Sequence, residues 1–387
     1  MSDDLLVVAV EASADLHGAA VLRELRALRP GLMAFGAGGA LLRAEGCETL
    51  VRAEDLSVMG IAEVLPAIPR ILRALRTLRR AAEQRRPRVA LLIDSPDFNL
   101  RLARKLRRLG IQVAYFIGPS VWAWRTYRVR QIARDVARML VILPFEAEFY
   151  ARHGVKAVYV GNPLADGLRP LLPATPTRTS TSRPDLRRAL GLDPGSPVLA
   201  LLPGSRRQEI RRIWPALLAA ARLLRERMPD LQLVVPVAPT VQRDWLRTDL
   251  PITFVEGRAP EVLGAADAAV VASGTATLEA ALAQVPTVVV YRLSWLSWIV
   301  GRLLVRLPFV SLVNLLAGRR LVPELLQRDC TGARIAESAA PLLSAGEARE
   351  SQLEGMRRIR ATLAPAGAPG AARRAAEEVS ALLGEPR

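Results

Sequence analysis

Glu11 and Ser13 place a carboxylate and a hydroxyl at a predicted strand-to-helix turn. They follow the apolar run Leu5–Val10, which is typical of a buried strand, and a helical pattern begins just after them. The N–H groups at the start of a helix attract anions, so such a turn suits a phosphorylated ligand. Helix capping by Ser13 or Asp15 is the competing structural interpretation.

Asp94 is the stronger candidate for acid–base chemistry. It follows the apolar run Val89–Ile93 and precedes Ser95, Pro96 and Asp97. Those three residues fit the N-cap, the first position and the first turn of a helix, which gives Asp97 a structural role. Asp94 has no such role, and a carboxylate at a strand tip can accept a proton from a sugar hydroxyl. The pattern therefore predicts that Asp94 is a general base.

Gly204, Ser205 and Arg206 form the first of two predicted phosphate-binding turns. They lie between the strand-like run Val198–Leu202 and a long helical pattern. Small residues let backbone N–H groups approach a phosphate, and an arginine adds a two-pronged donor. The Gly-Lys-Ser/Thr ending of a P-loop is absent, so the turn is not of that type. A solvated arginine on a basic protein is the alternative for Arg206.

Ser273, Gly274 and Thr275 form the second predicted turn, at the start of another helical pattern. Glu279 follows about one helical turn later, where its carboxylate could accept hydrogen bonds from both hydroxyls of a ribose. A capping box would place the acid three residues after the cap, whereas Glu279 is four residues after Thr275. The spacing therefore favours a nucleotide-binding role over capping.

Trp122 and Trp124 lie in the segment Gly118–Arg125, after the predicted strand Gln112–Phe116. Each ring offers a large apolar surface and one N–H donor, which suits contact with a sugar or an acyl chain. Packing between domains explains the same residues equally well, and the sequence leaves both interpretations open.

The elements that would carry these residues alternate between short apolar runs and longer, arginine-rich helical patterns. This alternation predicts an α/β protein with two Rossmann-like, doubly wound parallel-sheet domains and an interdomain cleft, as in GT-B enzymes. We place the domains at residues 1–165 and 166–345, followed by a helical tail over 346–387. The tail would pack across the domains or onto a partner subunit, which allows a homodimer. Residues 173–184 are rich in Pro, Ser and Thr and are predicted to form a linker or surface loop.

Composition narrows the function classes. The chain of 387 residues has a net charge of +17, two cysteines and two histidines. The cysteines have no metal-ligand spacing and fit a reduced, cytoplasmic setting, and the sequence has no Asp-x-Asp motif, so we predict neither a metal nor another cofactor. A basic surface attracts nucleic acid, anionic membrane or a phosphorylated substrate. Because basic and aromatic residues are not interleaved as in nucleic-acid-binding modules, we predict no nucleic-acid partner.

Two segments indicate contact with a membrane surface. No apolar run reaches the roughly 20 residues of a spanning helix. The segments Val64–Arg86 and Leu293–Leu307 instead combine aliphatic residues with arginines, and the second adds Trp295 and Trp298. Both are typical of interfacial segments that bind anionic lipid, while packing of the apolar side in the core is the alternative.

Taken in order, the motifs resemble those of the lipid-A-disaccharide synthase family of inverting glycosyltransferases. The resemblance covers nearly the whole chain and depends most on the segments Asp94–Asn99 and Pro119–Arg125, which are more specific than glycine turns. The other matching segments are Glu11–Ser13, Leu202–Arg206, Ser273–Glu279 and Val310–Gly318.

The resemblance implies transfer of 2,3-diacylglucosamine from UDP-2,3-diacylglucosamine to 2,3-diacylglucosamine 1-phosphate. The transfer inverts the anomeric carbon, forms a β-1,6 bond and releases UDP in lipid A biosynthesis. The first domain would bind the acceptor and lipid, and the second the UDP-sugar. The protein would attach peripherally to the anionic inner face of the cytoplasmic membrane.

The resemblance also assigns roles to individual residues. Asp94 corresponds to the base for the acceptor 6-hydroxyl, and Glu11 and Arg206 complete the catalytic set. Asn314 is a polar group at the donor site, and Glu279 corresponds to the ribose-binding glutamate of related GT-B enzymes. The other donor-binding residues are Gly204, Ser205, Ser273, Gly274 and Thr275, and those on the acceptor side are Ser13, Trp122 and Trp124.

The first loop departs from the family pattern, because Val10 and Ala14 replace two glycines. If the backbone at position 14 required a positive φ, an alanine there would be strained.

Two other functions remain open at this point. Another GT-B UDP-sugar transferase or a UDP-N-acetylglucosamine epimerase would share the fold and the nucleotide site. A basic nucleic-acid-binding protein is the alternative from a different class, and it predicts salt-sensitive binding to duplex DNA that is tighter than binding to anionic vesicles.

Overall fold

The computed structural model describes residues 4–56, 64–168, 182–295, 298–299, 301, 307–365 and 367–384. The chain divides into two compact units. Unit 1 comprises Met1–Pro163 and Gly367–Arg387, and unit 2 comprises Leu164–Ala366. Residues 173–181 of the predicted linker lie outside the described residues, as do parts of the segments 64–86 (side chains of 64–67) and 293–307.

Unit 1 is built on a seven-stranded parallel sheet. Its strands are β1 (Asp4–Val8), β2 (Met33–Gly38), β3 (Glu48–Arg52), β4 (Val89–Ile93), β5 (Gln112–Phe116), β6 (Arg138–Val141) and β7 (Ala157–Tyr159). They lie in the order β3-β2-β1-β4-β5-β6-β7. Its helices include α1 (Ala12–Leu28), α2 (Ala40–Ala44), α3 (Val64–Arg85), α4 (Pro96–Arg108), α5 (Arg128–Asp135) and α6 (Pro144–Ala151). The next helix, α7 (Pro163–Leu168), begins at the last residue of the segment Met1–Pro163, and its other residues belong to unit 2.

Unit 2 repeats this plan with a six-stranded sheet. Its strands are β8 (Val198–Leu202), β9 (Gln232–Val237), β10 (Ile252–Glu256), β11 (Ala268–Ala272), β12 (Thr287–Tyr291) and β13 (Glu324–Leu326), in the order β10-β9-β8-β11-β12-β13. Its helices in the described part of the chain include α8 (Arg183–Ala189), α9 (Arg207–Arg227), α10 (Ala259–Ala265), α11 (Thr275–Leu282), α12 (Leu312–Ala317), α13 (Gly332–Leu343) and α14 (Glu347–Leu363). The predicted α/β class with two doubly wound parallel sheets is confirmed.

The central strands are apolar throughout because helices cover both faces of each sheet. Every residue of β4, β8 and β11 is buried. Continuous runs of this kind are typical of parallel sheets, in which neither face meets water. Each fully buried leucine or valine contributes about 1.5–3 kcal/mol to folding, so these strands fix the positions of the loops that follow them.

The last helix, α15 (Ala371–Gly384), belongs to unit 1 and packs against α1. Ala375, Val379 and Leu382 are buried in the core that it shares with the sheet. The pair Arg138–Glu378, with an N–O distance of 2.6 Å, joins α15 to β6. The preceding helix, α14, packs instead on α11, α12 and α13 in unit 2.

The strand order reverses at one place in each sheet. In unit 1 the reversal lies between β1 and β4, and in unit 2 between β8 and β11. The loops at the carboxyl ends of such strand pairs form the crevice in which α/β proteins bind ligands. The predicted functional turns follow these four strands.

Candidate active site

Glu11 and Asp94 follow the two strands at which the sheet of unit 1 reverses. Glu11 is the N-cap of α1, after β1, and Asp94 comes directly after β4. The hydroxyl of Ser95 donates a hydrogen bond to Glu11 Oε1 at 2.6 Å and so joins the two loops. Burial, together with the negative charge of Glu11, raises the pKa of Asp94. A carboxylate with a raised pKa is a better proton acceptor, which suits a general base.

The turn that carries Asp94 is strained and is held by buried side chains. Asp94 and Ser95 have positive φ angles of 52° and 43°, a conformation that costs energy in residues other than glycine. The carbonyl oxygen of Asp94 accepts hydrogen bonds from Asn99 Nδ2 at 2.8 Å and from the Tyr115 hydroxyl at 2.6 Å. Both partners are fully buried, so the core of unit 1 determines where Asp94 lies.

The residues after Asp94 take the helical positions expected of them. Ser95 is the N-cap of α4 and Pro96 its first residue. The Ser95 side chain makes no capping hydrogen bond, however, because the backbone of Ser95 is left-handed and not extended as at an ordinary N-cap. Its hydroxyl donates to Glu11 instead. Asp97 is exposed in the first turn and pairs with Arg128 at 2.5 Å, which agrees with a structural role.

Asp15 caps a helix, but not the one expected. Its side chain is buried and accepts hydrogen bonds from the N–H groups of Gly39, Leu41 and Leu42 at 2.7, 3.0 and 3.2 Å. Asp15 therefore caps α2 instead of its own helix, α1. A Cβ atom at Gly39 would lie 2.5 Å from Asp15 Oδ2, which explains the glycine at this position.

The first turn of α1 contains Ser13 and Ala14. Ser13 is exposed, and its side chain makes no hydrogen bond to another described residue. Ala14 lies within α1 and is buried, without a positive φ angle. The strain considered for an alanine at this position therefore does not arise.

Glu146 is a functional candidate that the sequence analysis missed. It is 4% exposed, and its carboxylate accepts hydrogen bonds from the Trp122 indole at 3.0 Å and from the N–H groups of Leu143 and Ile142 at 3.0 and 3.3 Å. Burial raises the pKa of Glu146 to about 7 despite these donors. The sequence signal was an acid at the third position of a helix that begins with proline.

The two tryptophans of the loop after β5 have different environments. Trp122 is half-buried and packs edge-to-face on Phe145, with 4.9 Å between ring centroids. Trp124 is exposed, and the Arg125 guanidinium lies 4.0 Å above its ring. Within unit 1, Trp122 is therefore fixed by Glu146 and Phe145, and Trp124 offers a ring surface to solvent.

The backbone N–H groups of the turn after β8 bind the carboxylate of Glu209. Glu209 Oε2 accepts hydrogen bonds from the N–H groups of Ser205 and Arg206, both at 3.3 Å. Gly204 has a φ of 104°, and a Cβ there would lie 2.6 Å from Glu209 Oε2, so this position requires glycine. The Arg206 side chain is 82% exposed and lies 3.6 Å from Glu209. Its guanidinium is thus accessible to an external anion.

The turn after β11 leads into α11. Ser273 and Gly274 separate the two elements, Gly274 is the N-cap, and Thr275 is the first helical residue. Glu279 is half-buried on this helix, and its carboxylate forms no hydrogen bond or ion pair with any other residue that the structure describes. Burial raises the pKa of its carboxyl group. A half-buried carboxylate without a partner is a candidate for ligand binding.

Asn314 is fully buried in unit 2, and its side chain makes four hydrogen bonds there. Oδ1 accepts from the N–H groups of Leu321 and Val322 at 2.8 and 2.9 Å. Nδ2 donates to the Val322 carbonyl at 3.0 Å and to Glu324 Oε1 at 2.8 Å. Because an amide offers two donor hydrogens and one acceptor oxygen, no polar atom is left for the donor contact expected of Asn314. Its side chain positions the segment that follows α12.

Comparison with known proteins places these features in a family. The model of the family described as lipid-A-disaccharide synthetase matches residues 5–376. The chain belongs to the lipid-A-disaccharide synthase family. It is 54% identical to the lipid-A-disaccharide synthase of Anaeromyxobacter dehalogenans (strain 2CP-C), over 99% of the chain and 98% of that protein. It is also 54% identical to the one of Myxococcus xanthus (strain DK1622), over 98% and 97%. The protein is accordingly a glycosyltransferase.

Solved structures show the fold of this family member to be of the GT-B type. The calicheamicin glycosyltransferase is 17% identical, with a TM-score of 0.58, and the alignment covers 99% of this chain and 98% of the other. UDP-N-acetylglucosamine 2-epimerase from Neisseria meningitidis, solved with UDP-N-acetylglucosamine bound, is 14% identical, with a TM-score of 0.61 and coverage of 98% and 99%. At such identities the likeness supports the fold alone.

The structure describes only part of each of the two segments that we expect to contact a membrane, residues 64–86 and 293–307. Among the described residues, no helix has the length and apolar character needed to cross a bilayer. One side of α3 packs in the core of unit 1 through Leu75 and Leu78. This packing agrees with the alternative interpretation, in which the apolar side of the segment is buried in the core. Ile68 and Leu72 on the same helix are nevertheless exposed, and Trp295 in unit 2 is 75% exposed.

Proposed function

We propose that this member of the family transfers 2,3-diacylglucosamine from UDP-2,3-diacylglucosamine to the 6-hydroxyl of 2,3-diacylglucosamine 1-phosphate. The observation that carries the proposal is Asp94, a carboxylate of raised pKa held by buried partners where the sheet of unit 1 reverses. The match to the lipid-A-disaccharide synthase family over nearly the whole chain supplies the substrate class.

In this mechanism Asp94 accepts the proton of the acceptor 6-hydroxyl. The hydroxyl oxygen attacks the anomeric carbon as the bond from that carbon to the UDP oxygen breaks, and the electron pair leaves with UDP. Attack from the face opposite UDP inverts the anomeric carbon. A positioned general base of this kind contributes roughly 100-fold or more to the rate. Burial raises the pKa of Asp94, and the negative charge of Glu11 adds to this effect.

The residues of unit 2 suit the nucleotide. The exposed guanidinium of Arg206 would pair with the diphosphate, and the turn Ser273–Thr275 at the N-terminus of α11 would add N–H donors. Glu279, which has no other described partner, would accept hydrogen bonds from the ribose hydroxyls. Stabilising charge that develops on UDP is worth roughly 3–4 kcal/mol for each such donor.

Ser13, Trp122 and Trp124 would contact the acceptor. Trp124 offers an exposed ring with a cation above it, and Trp122 is held by Glu146. An aromatic surface of this kind can pack against a sugar ring or an acyl chain.

The direct test is to incubate the purified protein with both substrates in detergent micelles. We expect equimolar UDP and a disaccharide 1-phosphate that mass spectrometry identifies. UDP-N-acetylglucosamine serves as a second substrate, and its conversion to an epimer without any disaccharide from the lipid substrates would reject the proposal.

We further propose that the protein attaches peripherally to the anionic inner face of the cytoplasmic membrane. Both substrates carry acyl chains, and Ile68, Leu72 and Trp295 are exposed apolar side chains within arginine-rich segments. Flotation with vesicles that contain phosphatidylglycerol should exceed flotation with phosphatidylcholine alone. Leu72→Gln should weaken it, whereas Leu109→Gln, at an exposed leucine after α4, should not. The proposed attachment would be refuted if the wild type floated equally with both kinds of vesicle and both variants floated as the wild type does.

A further inference from the structure

A cavity of about 450 Å³ lies in unit 1 between the edge strand β3 and helix α3. Its volume is in the range of small-molecule sites in proteins. The strand lines it from Thr49 to Arg52, and α3 lines it with Arg70, Arg73, Ala74 and Thr77, whose spacing puts them on one face of the helix. The mechanism described above uses none of these residues.

The lining of this cavity is strongly basic. The lining residues include three arginines, Arg52, Arg70 and Arg73, and one acid, Asp55, which together carry a net charge of +2. All three arginines are exposed, and none forms an ion pair with an acid in the described part of the chain. Unpaired guanidinium groups bind phosphate through two parallel hydrogen bonds, and they bind it more strongly than neutral donors do.

The same cavity has an apolar wall. Leu50, Val51 and Leu56 line it and are half-buried. A ligand that fits both parts carries an anionic group next to hydrocarbon. A free inorganic anion would leave the apolar wall unused.

The arginines of the cavity lie toward the sheet edge that carries Asp94. Arg52 is the last residue of β3, and the carboxyl ends of parallel strands share one edge. The order β3-β2-β1-β4 puts three strand spacings, about 14 Å, between the backbones of β3 and β4. Because α3 leads from β3 back to β4, it runs opposite to the strands, and its first half with Arg70 and Arg73 lies toward this edge. A sugar with one group at Asp94 can therefore direct another toward the arginines.

We propose that this cavity binds the phosphate of the phosphorylated, acylated acceptor, with the first methylene groups of an acyl chain against Leu50 and Leu56. The assignment rests on the proposed function, in which Asp94 takes the proton from the 6-hydroxyl of a sugar that bears a 1-phosphate. Phospholipid headgroups offer the same phosphate chemistry. The acceptor is the favoured source because the arginines and Asp94 share one edge of the sheet.

The test compares two acceptors, 2,3-diacylglucosamine with and without its 1-phosphate, in micelles of a non-ionic detergent. The wild-type protein should use the phosphorylated acceptor with a kcat/KM roughly 10-fold higher or more. The triple variant Arg52→Ala, Arg70→Ala, Arg73→Ala should lose most of this preference through a higher KM for the phosphorylated acceptor. Arg104→Ala, which removes an exposed arginine from α4, is the matched control and should keep it.

Two readouts separate this inference from its alternatives. If the triple variant keeps the preference, or if the wild type has none, the inference is wrong. If the variant keeps the preference and loses binding only to phosphatidylglycerol vesicles, the cavity binds headgroups instead. Formation of no disaccharide by the wild type would refute the proposed function itself. Thermal unfolding followed by far-UV circular dichroism shows whether unit 1, which carries all of these substitutions, is folded in each variant. Arg70→Gln with Arg73→Gln replaces the alanine set if that set misfolds, and it should lose the preference in the same way.

Discussion

The hydroxyl of Ser95 lies 2.6 Å from Glu11 Oε1, and this bond joins the ends of the two strands at which the sheet of unit 1 reverses. The charge of Glu11 acts in addition on the adjacent Asp94, whose pKa it raises together with burial. Mutation can separate the two effects. Glu11→Gln keeps an acceptor for Ser95 and removes the charge, whereas Ser95→Ala keeps the charge and removes the bond.

Glu11→Gln should shift the acid side of the pH–rate profile to lower pH. Asp94 acts as a base only when ionised, so kcat/KM falls as pH decreases through its pKa. Removing the negative charge of Glu11 lowers that pKa, and the variant should therefore keep activity at a pH where the wild type loses it. The measurement is kcat/KM against pH. Ser95→Ala, which leaves the charge in place, should retain the wild-type midpoint, and equal midpoints for Glu11→Gln and the wild type would contradict the electrostatic role of Glu11.

Glu146 should make the stability of unit 1 depend on pH. Burial raises its pKa from 4.5 to about 7 in the folded protein. Its contribution to stability is fully present below pH 4.5 and is lost as pH rises through about 7, because ionisation is then easier in the unfolded chain. The shift corresponds to about 3 kcal/mol of free energy of unfolding.

Chemical denaturation of the wild type and of Glu146→Gln at several pH values measures this dependence. The free-energy difference between the two proteins should change in favour of the variant as pH rises from about 5 to about 8. A difference that stays constant over this range would show that Glu146 does not titrate there. Trp122→Phe, which removes the indole donor and keeps an aromatic ring, should raise the pKa of Glu146 further.

Arg206→Ala should weaken the binding of UDP. An arginine that pairs with a diphosphate is worth roughly a tenfold or larger change in Kd. Arg207→Ala is the matched control, since Arg207 is the next residue, is exposed and lies with its guanidinium 5.8 Å from the Trp245 ring centroid. Calorimetric titration with UDP gives both values. Equal losses in the two variants would indicate a general effect of charge instead of a specific contact.

Glu279→Gln should reduce the discrimination between UDP and 2′-deoxy-UDP. The wild-type carboxylate, free of other described partners, can accept hydrogen bonds from both ribose hydroxyls, and an amide of the same shape accepts them less strongly. The wild type should therefore bind UDP more tightly than the deoxy analogue, and the variant should bind the two more nearly alike. An unchanged ratio of the two Kd values would place the ribose elsewhere.

The fold was predictable from the sequence wherever strands are buried on both sides. Continuous apolar runs such as those of β4 and β8 identify central parallel strands directly. The strands β3 and β13 were not predicted. β3 is a half-exposed edge strand with the sequence ETLVR, and β13 has only three residues, so neither shows an apolar run of useful length.

The positions of the candidate site residues were predictable, but their partners were not. Asp94 and Arg206 were found because strand ends and helix starts can be read from local patterns. The hydrogen bond between Glu146 and Trp122 joins residues 24 positions apart. The Asp15 carboxylate likewise accepts a hydrogen bond from the start of α2 instead of capping its own helix. Such contacts depend on tertiary packing, which a local pattern does not contain.

The most direct test of the account is the turnover of Asp94→Asn with both lipid substrates. The substitution preserves the shape of the side chain and removes its ability to accept a proton. We predict that kcat falls roughly 100-fold or more while the Kd for UDP changes less than about twofold. A variant that turns over at close to the wild-type rate would show that Asp94 is not the base and would contradict the proposed mechanism.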